Sequence, residues 1–185
     1  SYSVTGVQTC ALPIYLIQWR QYYLNGLSWK PFNVGKAEIR NYEAESSLRI
    51  GKHLGLNCSI THTLAWDKSL NPDGSPSPSY DKKLVYTPKL RATARLSLNN
   101  EKRGLSIAYH YTGKQYSTPD NLIEPLAAFD NLDLAGFWRL GLPVFSLQLD
   151  LKANNLLNKR YSIYTDTPQP GFNWWTGISI STQTR

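Results

Sequence analysis

Between Leu90 and Leu98 the chain reads LRATARLSL. In an extended strand Leu90, Ala92, Ala94, Leu96 and Leu98 fall on one side, and Arg91, Thr93, Arg95 and Ser97 on the other. A helix would mix the two sets. The same period of two returns in LSIAYHY (105–111), LDLAGFWRL (132–140), FSLQLDLKA (145–153) and FNWWTGISI (172–180). LNCSITHTLAW (56–66) also alternates, NYEAESSLRI (41–50) does so more loosely, and YLIQWRQYY (15–23) is the least regular. The pattern predicts eight strands and almost no helix. Most of these segments run about nine to eleven residues, whereas strands of soluble proteins commonly have about five or six. About ten residues is what a tilted strand needs to cross the hydrocarbon of a bilayer.

The connections alternate in size. GKHLG, NEKRG and GLPV are short, while NPDGSPSPSYDKK, KQYSTPDNLIEP and KRYSIYTDTPQPG are long and rich in turn-forming residues. Tight turns therefore lie at one end of the sheet and large loops at the other, as in transmembrane barrels.

Charge placement supports an apolar face that excludes ions. The five most regular strands offer 24 positions on that face and none is charged, although 18% of the chain is charged. Chance would do this about once in a hundred draws. The opposite face carries Arg91, Arg95, Asp133, Arg139, Asp150 and Lys152 among Ser, Thr, Asn and Gly residues. Such a mixture suits a wet lumen, whereas a charge on a lipid-facing side costs about 2–4 kcal/mol at the bilayer midplane. Tyr86, Tyr109, Tyr111, Tyr116, Trp138, Tyr161, Phe172 and Trp174 cluster toward strand ends, the place of interfacial girdles.

Other classes are disfavoured. No run of eighteen apolar residues exists, so no transmembrane helix is expected. The net charge of +7 is spread over 20 scattered Lys and Arg residues, without the clustering that nucleic-acid binding needs. Cys10 and Cys58 make no disulfide framework. His53, His62 and His110 have no metal spacing, and no nucleophile motif occurs, so neither a metal site nor an enzyme site is expected. His62 and His110 are expected on the polar face.

The chain KANNLLNKRYSIYTDTPQPGFNWWTGISI resembles the closing segment of TonB-dependent outer-membrane receptors, at Asn155, Leu156, Leu157, Asn158, Lys159, Arg160 and Tyr161 and then Pro170 and Gly171. VYTPKLRATARLSL resembles a strand start of that family at Tyr86, Thr87, Pro88 and Lys89. YHYTGKQYSTPDN resembles its Tyr-x-Gly-Lys-x-Tyr segment. NVGKAEIRNYEAESSL resembles another of its strands, with Asn41 where the family usually has Gly. The four fragments occur in family order over Tyr15–Ile180. The resemblance implies an all-β fold: an antiparallel transmembrane β-barrel wall, about eight strands of a larger, 22-stranded type of barrel, over residues 15–185. The family's plug and TonB-contacting segment lie N-terminal to such a piece. The family commonly closes on an aromatic residue, often Phe, whereas the sequence here reads STQTR at 181–185, so either the true end differs or the frame continues elsewhere.

By the same resemblance the parent receptor sits in the outer membrane of a Gram-negative bacterium as a monomer, surrounded by lipid and lipopolysaccharide. It imports a scarce small molecule, such as a ferric siderophore, cobalamin or a glycan, with energy from the TonB complex and with no resident cofactor. Loop aromatics Trp29, Tyr80, Tyr116 and Tyr164 are the candidate ligand contacts, each with interfacial anchoring as the plainer role. Two other architectures fit the alternation. One is a complete eight-stranded outer-membrane barrel, an enzyme or adhesin, closed by pairing 15–23 with 172–180. The other is a soluble glycan-binding β-sandwich. Finally, VTGVQTCALPI (4–14) has no period at all, and it resembles a translated short-read sequencing adapter. Residues 1–14 are therefore expected to be foreign, and 4–14 to have no partner in the fold.

Overall fold

The computed structural model describes residues 2–5, 16–22 and 28–182, and no helix occurs among them. The strands are β1 (Tyr2–Thr5), β2 (Leu16–Tyr22), β3 (Ser28–Val34), β4 (Ala37–Ile50), β5 (Leu54–Asp67), β6 (Leu90–Asn99), β7 (Arg103–Thr112), β8 (Phe129–Gly141), β9 (Phe145–Asn154), β10 (Ser162–Tyr164), β11 (Thr167–Pro168) and β12 (Asn173–Thr182). Eight form one antiparallel sheet in the order β1-β4-β5-β6-β7-β8-β9-β12. Apart from β1 it is a plain meander, since every segment of strict alternation pairs with its neighbours in sequence.

Register makes each face continuous. Ile60 lies opposite Ala92, Ala92 opposite Tyr111, Leu96 opposite Ile107, and Ile107 opposite Leu134. Further along, Trp138 pairs with Leu149 and Leu149 with Ile178. The other face runs Ser97–Ser106–Ala135–Lys152–Trp175 by the same pairing. A slip of one residue on any strand would throw its leucines onto the polar side, so the hydrophobic pattern holds the register.

The apolar face is bare. Trp174 is 65% exposed, Ile178 70% and Ile180 68%, and Leu98, Leu105 and Trp138 are likewise exposed. Among the described residues, Val34, Ala65 and Leu84 form a small buried hydrophobic cluster, with Ala37 and Ile39 packed against it. A soluble sandwich would close this face against a second sheet. An apolar surface of this extent needs a non-aqueous contact. The sandwich alternative is therefore overturned.

Three further expectations change. First, 15–23 does not close a small barrel, because β2 pairs with β3 in a separate two-stranded sheet. β12 pairs with β9 and with no other described strand. β3 escapes the sequence pattern because Pro31, opposite Trp19, interrupts SWKPFNV with a residue that donates no ladder hydrogen bond. Second, Val4 and Thr5 do have partners, since β1 pairs with β4 through Val4–Ser46 and Thr5–Glu45. The open edge of β4 presents unpaired backbone groups that any extended segment can satisfy. Third, His62 lies on the apolar face, opposite Leu90 and 6.0 Å from the Tyr42 ring. Parity along β5 decides this, not side-chain polarity. His110 is on the polar face as expected, where it meets Thr93 at 3.3 Å and Asp133 at 3.6 Å.

Candidate functional site

The connections 68–89, 113–128 and 155–172 leave β5, β7 and β9 at one end of the sheet, and the turns 51–53, 100–102 and 142–144 occupy the other. The long connections are bound together into a crown, and local chemistry shows how each is shaped.

In 155–172 the Asn155 side chain is the organiser. It is 2% exposed and has φ 51°. Its peptide N–H donates to Asp133 Oδ1 at 2.9 Å, its amide donates to the carbonyls of Lys159 (2.9 Å) and Pro170 (3.2 Å), and its Oδ1 accepts from Lys159 N–H. Asn tolerates this left-handed conformation and can mimic a backbone turn. Asn158, with φ 48°, accepts from Phe172 N–H at 2.9 Å. A Cβ on Gly171 would sit 2.4 Å from Asn158 Oδ1, so any larger residue there would have to push the Asn158 amide out of its bond to Phe172 N–H. The Asn-Leu-Leu-Asn-Lys run and Pro170-Gly171 thus form a single knot. Outside it, the Lys159 ammonium pairs with the Asp130 carboxylate, and Tyr161 stacks on Phe129 at 4.2 Å.

In 68–89 the carboxylate of Asp67, 3% exposed, accepts from Ser69 N–H and the Ser79 hydroxyl, each at 2.8 Å. Lys68 and Asp81 form an ion pair at 2.5 Å. The hydrogen bond between them raises the Lys68 ammonium above its ordinary pKa and holds the Asp81 carboxyl below the usual carboxylate range. Lys83 lies 3.7 Å over the Trp66 ring, and burial, followed by the nearby Lys89 charge, lowers its pKa.

Tyr86 ties the three loops together. It holds φ 52°, its N–H donates to the Tyr116 carbonyl at 2.8 Å, its ring meets the Tyr164 ring edge-on at 4.9 Å, and its hydroxyl is 3.3 Å from that of Thr165. Gln115, 4% exposed, donates to the Ile163 carbonyl at 2.6 Å. Asn121 bonds both the N–H (2.7 Å) and the carbonyl (3.0 Å) of Lys83.

The candidate contacts divide accordingly. Tyr116 is half-buried and Tyr164 is exposed, and Tyr86 brings the two together. Tyr80 stands apart beside Lys68, whose ammonium is 5.5 Å from its ring centroid. Trp29 is in β3 opposite Gln21, and its side chain lies outside the described residues. Sequence reasoning missed Tyr86 and Gln115 as site residues. Their only signal is membership of the Tyr-Thr-Pro-Lys and Gly-Lys-Gln-Tyr segments. Among the described residues no three His, Cys, Asp or Glu side chains group to hold a metal.

A long-stranded antiparallel meander with one bare apolar face, one polar face, tight turns at one end and an interlocked crown at the other is the wall of a transmembrane β-barrel. The family model described as "TonB dependent receptor-like, beta-barrel" matches residues 3–156, and the chain belongs to that family. It is a family of receptors and not of enzymes. Among solved structures, the ferric citrate transporter FecA in its unliganded form aligns at TM-score 0.67 with 14% identity, over 79% of this chain and 24% of that one. The copper transporter OprC aligns at TM-score 0.63 with 18% identity, over 88% and 26%. BauA, the ferric preacinetobactin receptor of Acinetobacter baumannii, aligns at TM-score 0.62 with 19% identity, over 91% and 25%. No curated protein matches by sequence. The chain spans about a quarter of the length of these structures.

Proposed function

We propose that residues 15–185 are the C-terminal part of the barrel of a receptor that carries a scarce small molecule across the outer membrane of a Gram-negative bacterium. The carrying observation is the family match on a wall whose apolar face is bare while its polar face bears Arg95, Lys152 and Asp150. On this reading the apolar face meets lipid and lipopolysaccharide, the crown faces outward, and the polar face lines the lumen of a single 22-stranded barrel. Tyr80, Tyr116, Tyr164 and Trp29 contact the cargo as it arrives. Energy comes through TonB, engaged by a part of the receptor outside this chain.

Of the cargo classes implied by resemblance, a metal chelate is supported by the neighbours, which include transporters of ferric citrate and copper and a ferric preacinetobactin receptor. Cobalamin and glycans have no such support. The test is uptake of radioactive iron chelates by cells expressing the gene that encodes this chain, with and without functional TonB. Accumulation that needs both the gene and TonB is the expected result. Equal uptake without TonB overturns the reading.

A further inference from the structure

Charge is shared unequally between the two ends of the wall. The long connections hold five carboxylates, Asp73, Asp81, Asp120, Glu124 and Asp166, whereas the turns 51–53, 100–102 and 142–144 hold one, Glu101. Lys52 and Lys102 lie in these turns and Arg103 follows directly, and all three are exposed. Among the described residues, none of these four charged side chains makes an ion pair. At the crown end, by contrast, Lys68 pairs with Asp81 and Lys159 with Asp130. The turn 100–102 lies between the turns 51–53 and 142–144, so its neighbours along the wall are in place and still leave its cations bare.

Ordered backbone presents these cations. Asn100 Oδ1 accepts from the N–H groups of Lys102 (2.9 Å) and Arg103 (2.8 Å), and Asn100 N–H donates to the Arg103 carbonyl at 2.8 Å. Arg139 N–H donates to the Lys102 carbonyl at 2.6 Å and ties this turn to β8, while Asn99 N–H donates to the His53 carbonyl at 2.9 Å and ties 51–53 to β6. Parity then decides the side. Arg103 pairs with Trp138, and Leu105, two residues on, is on the same face as Leu98, so Arg103 is on the apolar face and not the polar one. Trp138, Leu98 and Leu140 are exposed there. Leucines and an indole ending in a guanidinium and two ammonium groups match an interfacial anchor, with its apolar part in hydrocarbon and its charge at headgroup level.

We infer that the turn end of the wall is a docking surface for anionic phospholipid headgroups. Lys52, Lys102 and Arg103 face the headgroup charge, and Trp138 and Leu140 seat the acyl chains. Short turns of such barrels are periplasmic, so the anion within reach is a phospholipid of that leaflet. Phosphatidylglycerol carries a net negative charge that phosphatidylcholine lacks, and one surface cation strengthens attraction to an anionic bilayer about fivefold. The surface therefore selects the lipid beside it and fixes the depth of the wall in the bilayer. The inference rests on the barrel reading, because it needs the apolar face in lipid.

The test uses the full chain in phosphatidylcholine vesicles, in a Cys10→Ser/Cys58→Ser background, with a bimane fluorophore attached at Leu140→Cys near the turns or at Ile60→Cys farther up the same face. Each is quenched with doxyl-chain phosphatidylglycerol and with the same doxyl chain on phosphatidylcholine. A preference of at least about fivefold for phosphatidylglycerol at Leu140→Cys, and none at Ile60→Cys, is expected. Lys52→Gln/Lys102→Gln/Arg103→Gln should abolish that preference while leaving quenching by phosphatidylcholine unchanged, which shows that the variant is still inserted. Equal quenching by the two lipids at Leu140→Cys overturns the inference without the triple variant. So does a preference that survives the triple variant, one equally strong at Ile60→Cys, or one lost on adding stoichiometric polyglutamate, which would give the turn end to an acidic polypeptide. Quenching by both lipids without selectivity sinks the docking surface alone, whereas no quenching at either position takes the apolar face out of lipid and the barrel reading with it.

Discussion

Ile178 and Ser179 are neighbours on β12 that point to opposite sides of the wall. Ile178 is 70% exposed and pairs with Leu149, while Ser179 pairs with Gln148 on the polar face. Both lie in the middle of a ten-residue strand. If the apolar face meets hydrocarbon, Ile178→Arg places a charge near the bilayer midplane and costs about 2–4 kcal/mol. At about 1.4 kcal/mol per factor of ten, the folded-to-unfolded ratio falls roughly thirtyfold to a thousandfold. Ser179→Arg enters the wet side and changes stability by no more than about 0.5 kcal/mol. Phe145→Arg, at the turn end of the apolar face, costs only about 0–1 kcal/mol, because the penalty fades toward the interface. Urea unfolding of the vesicle-inserted chain, followed by tryptophan fluorescence, measures all three. The assignment of faces fails if Ser179→Arg destabilises as much as Ile178→Arg, or if the Phe145 and Ile178 variants cost the same.

Other consequences follow from the crown and the termini. Asn155→Ala removes three side-chain hydrogen bonds and leaves alanine at φ 51°, so a loss of about 3 kcal/mol and early proteolysis within 155–172 are expected. Tyr86→Ala should raise amide exchange around Tyr116 and Thr165 together, while Tyr86→Phe, which keeps the ring contact with Tyr164, should raise it less. Exchange that rises in one loop only would contradict the coupling. The Lys68–Asp81 pair should hold 68–89 in place across neutral pH. The lowered Asp81 contributes stability above the unfolded carboxylate pKa of about 3.9, lost as pH falls through its lower folded value. The raised Lys68 contributes below about 10.4, lost as pH rises through its higher folded value. NMR titration of the two side chains checks both edges. We also infer that Val4–Ile14 is not receptor sequence, and re-reading genomic DNA across the Tyr15 codon should find different codons upstream.

Period-two alternation made β4–β9 and β12, their two faces and the short and long connections readable in advance, because a strand's side chains must alternate whatever lies beside it. His62 belonged to that readable part: its parity with Ile60 and Leu64 outweighs its polarity. Pairing partners were not readable in the same way. All backbone edges offer the same N–H and C=O groups, so nothing local marks β3 as the partner of β2, or β4 as the partner of Tyr2–Thr5. The crown is further still from sequence. Tyr86 meets Thr165, and Gln115 meets Ile163, across 79 and 48 residues of chain. Those contacts exist because the meander returns every long connection to the same end of the wall, where buried polar groups must find partners in whichever loop lies nearest.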